Sequence, residues 1–452
     1  MIVGTLATIC AWLGLDAPRD DRPFRGISTD TRTLAPGQVF VALKGPNFDG
    51  HDHLQAALDN GAAGALVTQE RAIPLPQIRV MDTLQALGHL ARAWRRQLDL
   101  TLVGITGSNG KTTVKEMTAS ILRGRGPTQL TQGNLNNAIG LPLTLLGLDR
   151  GTDYAVIEMG ASAPGEIRYL TQLAEPDVAL INNAGPAHLE GFGSVAGVAR
   201  AKGEIFQGLK ADGVAVFNGD DAHAQVWRDA TLGRNRLEFG FDAARTVRGV
   251  PIENDASSLT LSYGERSVNL RVPLPGRHNQ MNALAASAVG LALGFDFGLV
   301  QQGIERVSAV GGRLNTVRGI GGLRLVDDTY NANPASLVAA LAAVAAEPGE
   351  HWLVLGDMGE LGDEAEALHA QAGRAAREQG FRHLYALGPL SAAACRAFGA
   401  DAEHHEDIDS LLASLGRAVT GCTAPLVVLV KGSRSMRMER VVAALSPAGG
   451  HG

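Results

Sequence analysis

The stretch LTLVGITGSNGKTT, Leu100–Thr113, decides the fold. Its first half, Leu100–Ile105, is an apolar, β-rich run that stops at a glycine loop, and a helical pattern follows over Thr113–Leu122. Strand, glycine loop and helix are the setting in which backbone N–H groups and a helix N-terminus cradle phosphate oxygens. The loop residues Thr106, Gly107, Ser108, Asn109, Gly110, Lys111, Thr112 and Thr113 are therefore candidates for holding a nucleotide. Lys111 would neutralise the β and γ phosphates, and the Thr112 hydroxyl would reach Mg²⁺. The strict P-loop spacing is not met, because Ile105 stands where its first glycine would fall. A glycine-rich turn with a surface lysine is the bland alternative. The loop predicts binding of a nucleoside triphosphate without saying how its energy is used.

Outward from this loop, apolar runs recur at Tyr154–Glu158, Val178–Asn182 and Val214–Asn218, with helical patterns between them. That alternation predicts a parallel sheet covered by helices. Residues 246–273 alternate in short β-like segments and predict an antiparallel side sheet. From about residue 313 a third alternation begins, with strands expected at Leu323–Asp328, Trp352–Leu355, His383–Leu387 and Leu426–Val430. It predicts a small doubly wound α/β domain. Before the loop, Gln38–Leu43 and Ala65–Thr68 read as strands, and Leu84–Gln97 as an amphipathic helix leading into the next domain. The expected division is three α/β domains, 1–97, 98–312 and 313–452. A chain of 452 residues suits that number.

Composition limits the alternatives. A net charge of -6 leaves no electrostatic footprint for nucleic acid. The three cysteines, Cys10, Cys395 and Cys422, are far apart and fit a reducing, cytoplasmic compartment. The N-terminus lacks a basic region ahead of its apolar residues, so no signal peptide is read. The stretches Ala283–Phe295 and Ala335–Ala346 are too short to span a bilayer and read as buried helices.

Several polar residues stand at strand ends, where α/β sheets bind ligands. Glu158 ends the run YAVIE and could hold Mg²⁺, a hard ion that prefers oxygen ligands. His188 follows VALIN, although a lone histidine is more often a surface or packed residue. Lys202 lies on a predicted helix, where a solvated lysine is the ordinary case. In PGRHNQMNALAA, Pro275–Ala286, Asn279 and Asn282 share a helix face, to read an adenine edge or simply to cap and pack. Arg313 sits at the expected second boundary. Asp327 and Asp328 end a strand in VDDTYNANP, where they suit ribose hydroxyls or a turn.

Taken together, TGSNGKTT, Glu158, His188, AKGEIF, HNQMN, GGR and DDTYNANP occur in an order and spacing that resemble the Mur ligase family of peptidoglycan synthesis, over essentially the whole chain. STDTR at Ser28–Arg32, with FVALKGPNFDGHD at Phe40–Asp52, resembles the family's uridine-nucleotide N-terminal domain. Gln132–Leu146 (QGNLNNAIGLPLTLL), DDTYNANPAS and GDMGELG resemble the branch that adds D-alanyl-D-alanine. A DNPR-type sequence of the diaminopimelate-adding branch is not found.

The resemblance implies roles. Lys111, Glu158, His188 and Lys202 are the expected catalytic residues. Thr112 and Glu158 would hold one Mg²⁺, and His188 and Lys202 a second, with Lys202 carbamylated by CO₂. Asn279 and Asn282 would lie near adenine, Arg313 near the phosphates and Asp328 near the ribose, with Asp327 the open alternative. Substrate contacts are expected at Ser28, Thr29, Asp30, Arg32, Lys44, Asn134, Asn136, Asn137, Ser162, Asn331, Asn333 and Lys431. For Lys431 a basic loop before a helix is an equally open reading.

The implied activity is ATP-dependent coupling of D-alanyl-D-alanine to a UDP-N-acetylmuramoyl-tripeptide through an acyl phosphate. The implied protein is a monomer without membrane insertion, and its domains close on binding about hinges near residues 98 and 313. Competing expectations are another Mur-type or folylpolyglutamate-synthase-like ligase, or a P-loop regulator without ligase chemistry. Glu158, His188 and Lys202 argue against the last, since a pure binder has no need of them.

Overall fold

The computed structural model describes residues 1–447 apart from 254, 275, 309–311 and 423–424, so Pro275 and Gly311 of the segments quoted above lie outside the described residues. The chain forms three α/β domains around three main sheets. In the first, β1 (Ile27–Ser28), β2 (Val39–Val41), β3 (Gly64–Val67) and β4 (Gln77–Arg79) pair in parallel in chain order. Val39, Val41, Leu66 and Val67 are fully buried, as continuous apolar runs in a covered parallel sheet should be.

The central sheet has nine strands, β5 (Thr101–Thr106), β6 (Thr128–Leu130), β7 (Tyr154–Glu158), β8 (Val178–Ile181), β9 (Val214–Asn218), β10 (Asn235–Gly240), β11 (Val247–Ile252), β12 (Asp255–Tyr263) and β13 (Arg266–Arg271). Their order is β6-β7-β5-β8-β9-β10-β11-β12-β13. The strands of the expected antiparallel side sheet are present, at one edge of this sheet. β11, β12 and β13 do pair antiparallel, but β11 docks in parallel on β10 through Phe239↔Val247 and Gly240↔Arg248, so they extend the main sheet. Alternation in a sequence reveals a half-buried strand, not the edge on which it docks.

The third sheet contains β14 (Asn315–Arg318), β15 (Arg324–Asp328), β16 (Glu350–Gly356), β17 (His383–Leu387), β18 (Ala402–His405) and β19 (Leu426–Lys431), ordered β14-β15-β19-β16-β17-β18. All its pairings are parallel except β14 with β15. One apolar cluster around Leu337, Leu341 and Phe381 and another around Leu411, Leu415 and Val441 cover its two faces, which makes it doubly wound. Helix Pro334–Ala345 buries Leu337, Ala340, Leu341 and Val344 but exposes Val338, so it is amphipathic and not wholly buried as expected. Helix Arg277–Ala292, by contrast, is buried nearly all round.

Helix Thr83–Arg95 is the joint between the first two domains. It is N-capped by Asp82, whose carboxylate accepts from the N–H groups of Leu84 and Gln85. Leu87, Leu90, Ala91 and Trp94 enter one continuous cluster with Ile2 and Leu6 of the first domain and Leu145, Ile157 and Leu170 of the central one. Its basic end is held by the central domain, with Arg95 buried and Arg92 and Arg96 partly exposed. Arg92 and Arg96 both bind Glu175, and buried Arg95 reaches the carbonyls of Ala174, Leu98 and Leu100. The expected hinge near residue 98 falls beside this shared core, which movement there would have to disrupt.

Candidate active site

The parallel strands reverse order about β5: the chain runs to β6 and β7 on one side, then crosses to β8 on the other. Ligands bind at such a switch point, beyond the strands' C-terminal ends. A cleft of about 1140 Å³ opens there, lined by residues of all three domains. The phosphate loop forms its floor. Lys111 opens helix Lys111–Arg123, and its Nζ donates to the carbonyls of Gly107 at 2.7 Å and Ser108 at 3.4 Å. Burial pulls its pKa down, the neighbouring Glu158 opposes this, and Arg313 adds to it.

Register places Glu158 beside Ile105, the last strand residue but one before the loop. Its carboxylate accepts from Thr112 Oγ1 at 3.0 Å and from Asn136 Nδ2 at 2.9 Å. Arg313 reaches in from the third domain, donating from Nη2 to Thr112 Oγ1 at 3.0 Å, while its guanidinium stacks 4.3 Å from the Tyr330 ring centroid. The loop is further held by asparagines. Asn109 donates from its backbone N–H to Asn183 Oδ1 at 2.8 Å, and its carbonyl accepts from Asn182 Nδ2 at 2.9 Å. Its side-chain oxygen accepts from Asn333 Nδ2 at 2.7 Å. Asn182 Nδ2 also donates to Asn282 Oδ1 at 2.8 Å, and Asn282 Nδ2 to Asn279 Oδ1 at 3.1 Å. Gly110, with φ of 77°, admits no side chain, since a Cβ there would stand 2.4 Å from Asn282 Oδ1. Asn279 and Asn282 thus pack the loop from behind and still line the cleft.

His188 and Lys202 line the same cleft. His188 adopts a left-handed φ of 52°, and its Nδ1 meets the carboxylate of Glu360, whose φ is 60°. Strained backbone of this kind collects at functional sites. Burial lowers the His188 pKa, and Glu360 opposes that shift. Lys202 is 3% exposed and has no hydrogen-bond or ion-pair partner among the described residues. Burial first, and then the charge of Lys111, hold its pKa well below the usual lysine range. A solvated helix lysine is therefore excluded.

The structure separates the two aspartates. Asp327 binds Thr329 and the Gly312 N–H and so shapes the turn. Asp328 faces the cleft and pairs with Lys431 Nζ at 2.5 Å, because register sets Asp328 directly beside Lys431. Lys431 is only 2% exposed and also donates to the Asn331 carbonyl, so it lines the cleft as a residue already paired on two sides. Thr106, at the start of the loop, has a buried hydroxyl that donates to the Met159 carbonyl at 2.9 Å.

Asn134, Asn136, Asn137, Ser162, Asn331 and Asn333 all line the cleft, but Ser28, Thr29, Asp30, Arg32 and Lys44 do not. These last sit at the strand ends of the first domain, where Arg32 grips Asp30 and holds its carboxyl down to about 2, and Lys44 pairs with Asp49 at 3.2 Å. The cleft also takes in His278, Tyr330, Glu360 and Arg434, which sequence spacing did not single out. Tyr330 and Glu360 lay inside quoted segments, but only folding turned them toward the loop.

Among the described residues no three His, Cys, Asp or Glu side chains gather as a metal group. The Thr112–Glu158 oxygen pair nevertheless fits Mg²⁺, which takes few protein ligands and fills its shell with water and phosphate oxygens. No helix among the described residues is long and apolar enough to cross a membrane.

A phosphate loop at a switch point, capped by a doubly wound domain that sends an arginine to it, defines an enzyme class that uses nucleoside triphosphates. Family models narrow that class. The Mur ligase family catalytic domain matches residues 23–95, the Mur ligase middle domain 105–290, and the Mur ligase glutamate ligase domain 312–434. The chain belongs to the Mur ligase family. It is 43% identical over 452 residues, 99% of this chain and 100% of the relative, to the UDP-N-acetylmuramoyl-tripeptide–D-alanyl-D-alanine ligase of Escherichia coli K12. The crystal structure of MurF from Acinetobacter baumannii superposes with a TM-score of 0.91 at 35% identity, covering 98% of each chain. That of the Thermotoga maritima MurF ligase in complex with ADP gives 0.81 at 29%, covering 93% of this chain and 96% of that one.

Proposed function

We propose that this protein is the cytoplasmic, ADP-forming ligase that joins D-alanyl-D-alanine to the terminal carboxylate of a UDP-N-acetylmuramoyl-tripeptide. Its products are the UDP-linked pentapeptide, ADP and phosphate. The observation that carries this reading is the convergence of Lys111, Glu158, His188 and Lys202 in one cleft, in a chain whose full-length relatives are named for this activity. The working division is 1–97 for the uridine nucleotide, 98–312 for ATP and 313–452 as the cap, in a monomer.

A carboxylate is a poor electrophile, and transfer of the γ-phosphoryl group from ATP to it gives an acyl phosphate with a good leaving group. The dipeptide amine then attacks the acyl carbon, and phosphate departs from the tetrahedral intermediate. Bringing two anions together in a low-dielectric cleft is costly. Lys111 and Arg313 supply positive charge at the phosphates and hold them in line. Mg²⁺ would be held by Thr112 and Glu158, with a second ion at His188 and Lys202, and would add charge neutralisation there. An ammonium cannot ligate a cation, so the second site requires Lys202 as its carbamate. A buried, unpartnered amine whose pKa is depressed is suited to take up CO₂. Capping by the third domain, through Arg313 and Asn333, keeps water from the acyl phosphate.

The test is phosphate release from ATP with UDP-N-acetylmuramoyl-tripeptide, with and without D-alanyl-D-alanine, on wild type and Lys202→Ala. Dipeptide-dependent release that collapses in the variant, and partly returns with a short-chain carboxylate, is expected. Release indifferent to the dipeptide would leave only an ATPase.

A further inference from the structure

Five lysines and arginines line the cleft among its described residues: Lys111, Lys202, Arg313, Lys431 and Arg434. Four are already placed. Lys111 binds the loop carbonyls, Arg313 holds Thr112, Lys431 is locked to Asp328 and Asn331, and Lys202 is buried beside Lys111. Arg434 differs. It begins the short turn Arg434–Met436 just past the C-terminal end of β19, its side chain is 58% exposed, and it pairs at 3.2 Å with Glu439, which is 41% exposed. An exposed pair of this kind contributes little and is readily exchanged for another carboxylate.

We infer that Arg434 receives the carboxylate of the incoming dipeptide and so selects for its free C-terminus; this rests on the activity proposed above. The incoming substrate is a zwitterion, and its carboxylate needs a cation outside the nucleotide site. Lys431 would have to break a buried pair to serve, whereas Arg434 only trades Glu439 for the ligand. It lines the same cleft as Tyr330, on whose ring Arg313 stacks. A planar guanidinium can grip a carboxylate with two parallel hydrogen bonds, which fixes the rest of the dipeptide in direction as well as place. Gly432 brings the chain to this point: a Cβ there would stand 3.1 Å from the Gly356 backbone.

The experiment compares D-alanyl-D-alanine with D-alanyl-D-alaninamide as acceptors in wild type, Arg434→Gln and Arg434→Lys, all checked for an unchanged melting temperature. Wild type should prefer the free acid by roughly 10- to 100-fold in kcat/KM, the range for a hydrogen bond to a charged group. In Arg434→Gln that preference should vanish through a higher KM for the dipeptide, with kcat and the KM values of ATP and the UDP-peptide little changed. Arg434→Lys should keep part of it. A wild type that accepts the amide equally well, or an Arg434→Gln variant that still discriminates fully, would overturn the assignment while leaving the ligase activity intact. A wild type with no dipeptide-dependent turnover would instead sink the activity, and this subsite with it.

Discussion

The joint between the first and central domains and the joint between the central and third domains are made differently. At the first, Trp94 lies 1% exposed in a continuous apolar core, and the buried cation Arg95 is satisfied by three carbonyls and Asp177. At the second, no buried apolar cluster of described residues crosses from one domain to the other. The domains meet through Arg313 on Thr112, Asn333 on Asn109 and Glu360 on His188, beside the buried amine of Lys202, which has no partner among the described residues. A dry interface is complete once folded. A polar one leaves groups that a charged substrate can rearrange, at a cost in stability. The second joint, near residue 313, is thus the one held by polar contacts alone.

The strongest challenge to this contrast is Trp94→Ala. Loss of a buried tryptophan should cost about 3–5 kcal/mol, and calorimetry should show the first and central domains shifting as one transition. A separate early transition for the first domain alone would mean the joint is not one core.

Next comes Lys202→Met in CO₂-depleted buffer, which should raise stability by about 1–4 kcal/mol while activity is lost, because it removes a buried charge without a partner. The sign with pH follows. A lysine whose pKa falls on folding binds fewer protons folded than unfolded between its depressed value and the usual 10.5. Stability of the wild type should thus rise with pH across that window and be lowest below it. Denaturant melts of the variant should lack this rise; an identical profile would place the cost elsewhere.

The smallest effect separates two duties of Asn333. Its side chain caps helix Pro334–Ala345 by accepting from Ser336 N–H at 2.9 Å, and donates to Asn109. Asn333→Ala should cost about 1 kcal/mol in the third domain's transition. Asn333→Asp keeps the cap but loses the donor, so its stability should hold while the KM for ATP rises. A wild-type KM for ATP in Asn333→Asp would show that Asn109 gains nothing from the contact, and equal stability of the two variants that the cap contributes nothing.

How much of this was legible varies with the kind of signal. Strands such as Tyr154–Glu158 and His383–Leu387 were read to the residue, because buried parallel strands are unbroken apolar runs. Residues 246–273 were read as antiparallel strands, but their docking on β10 was not legible, since it takes two residue pairs that no pattern marks. Lys431 was legible as a residue past a strand end, open between substrate contact and a basic loop, whereas its partner Asp328 lies 103 residues away and meets it only through register.

The sequence by itself determined the local chemistry of this protein: the phosphate loop, the strand-end carboxylate, the alternation that requires covered parallel sheets, and the family to which the motifs point. These are short-range properties, set by side-chain type and spacing. The tertiary structure alone decided which joint shares an apolar core, which aspartate faces the cleft, and which cations are occupied and which is available. Those depend on burial and on neighbours distant in the chain, which exist only once the sheets have paired and the domains have met.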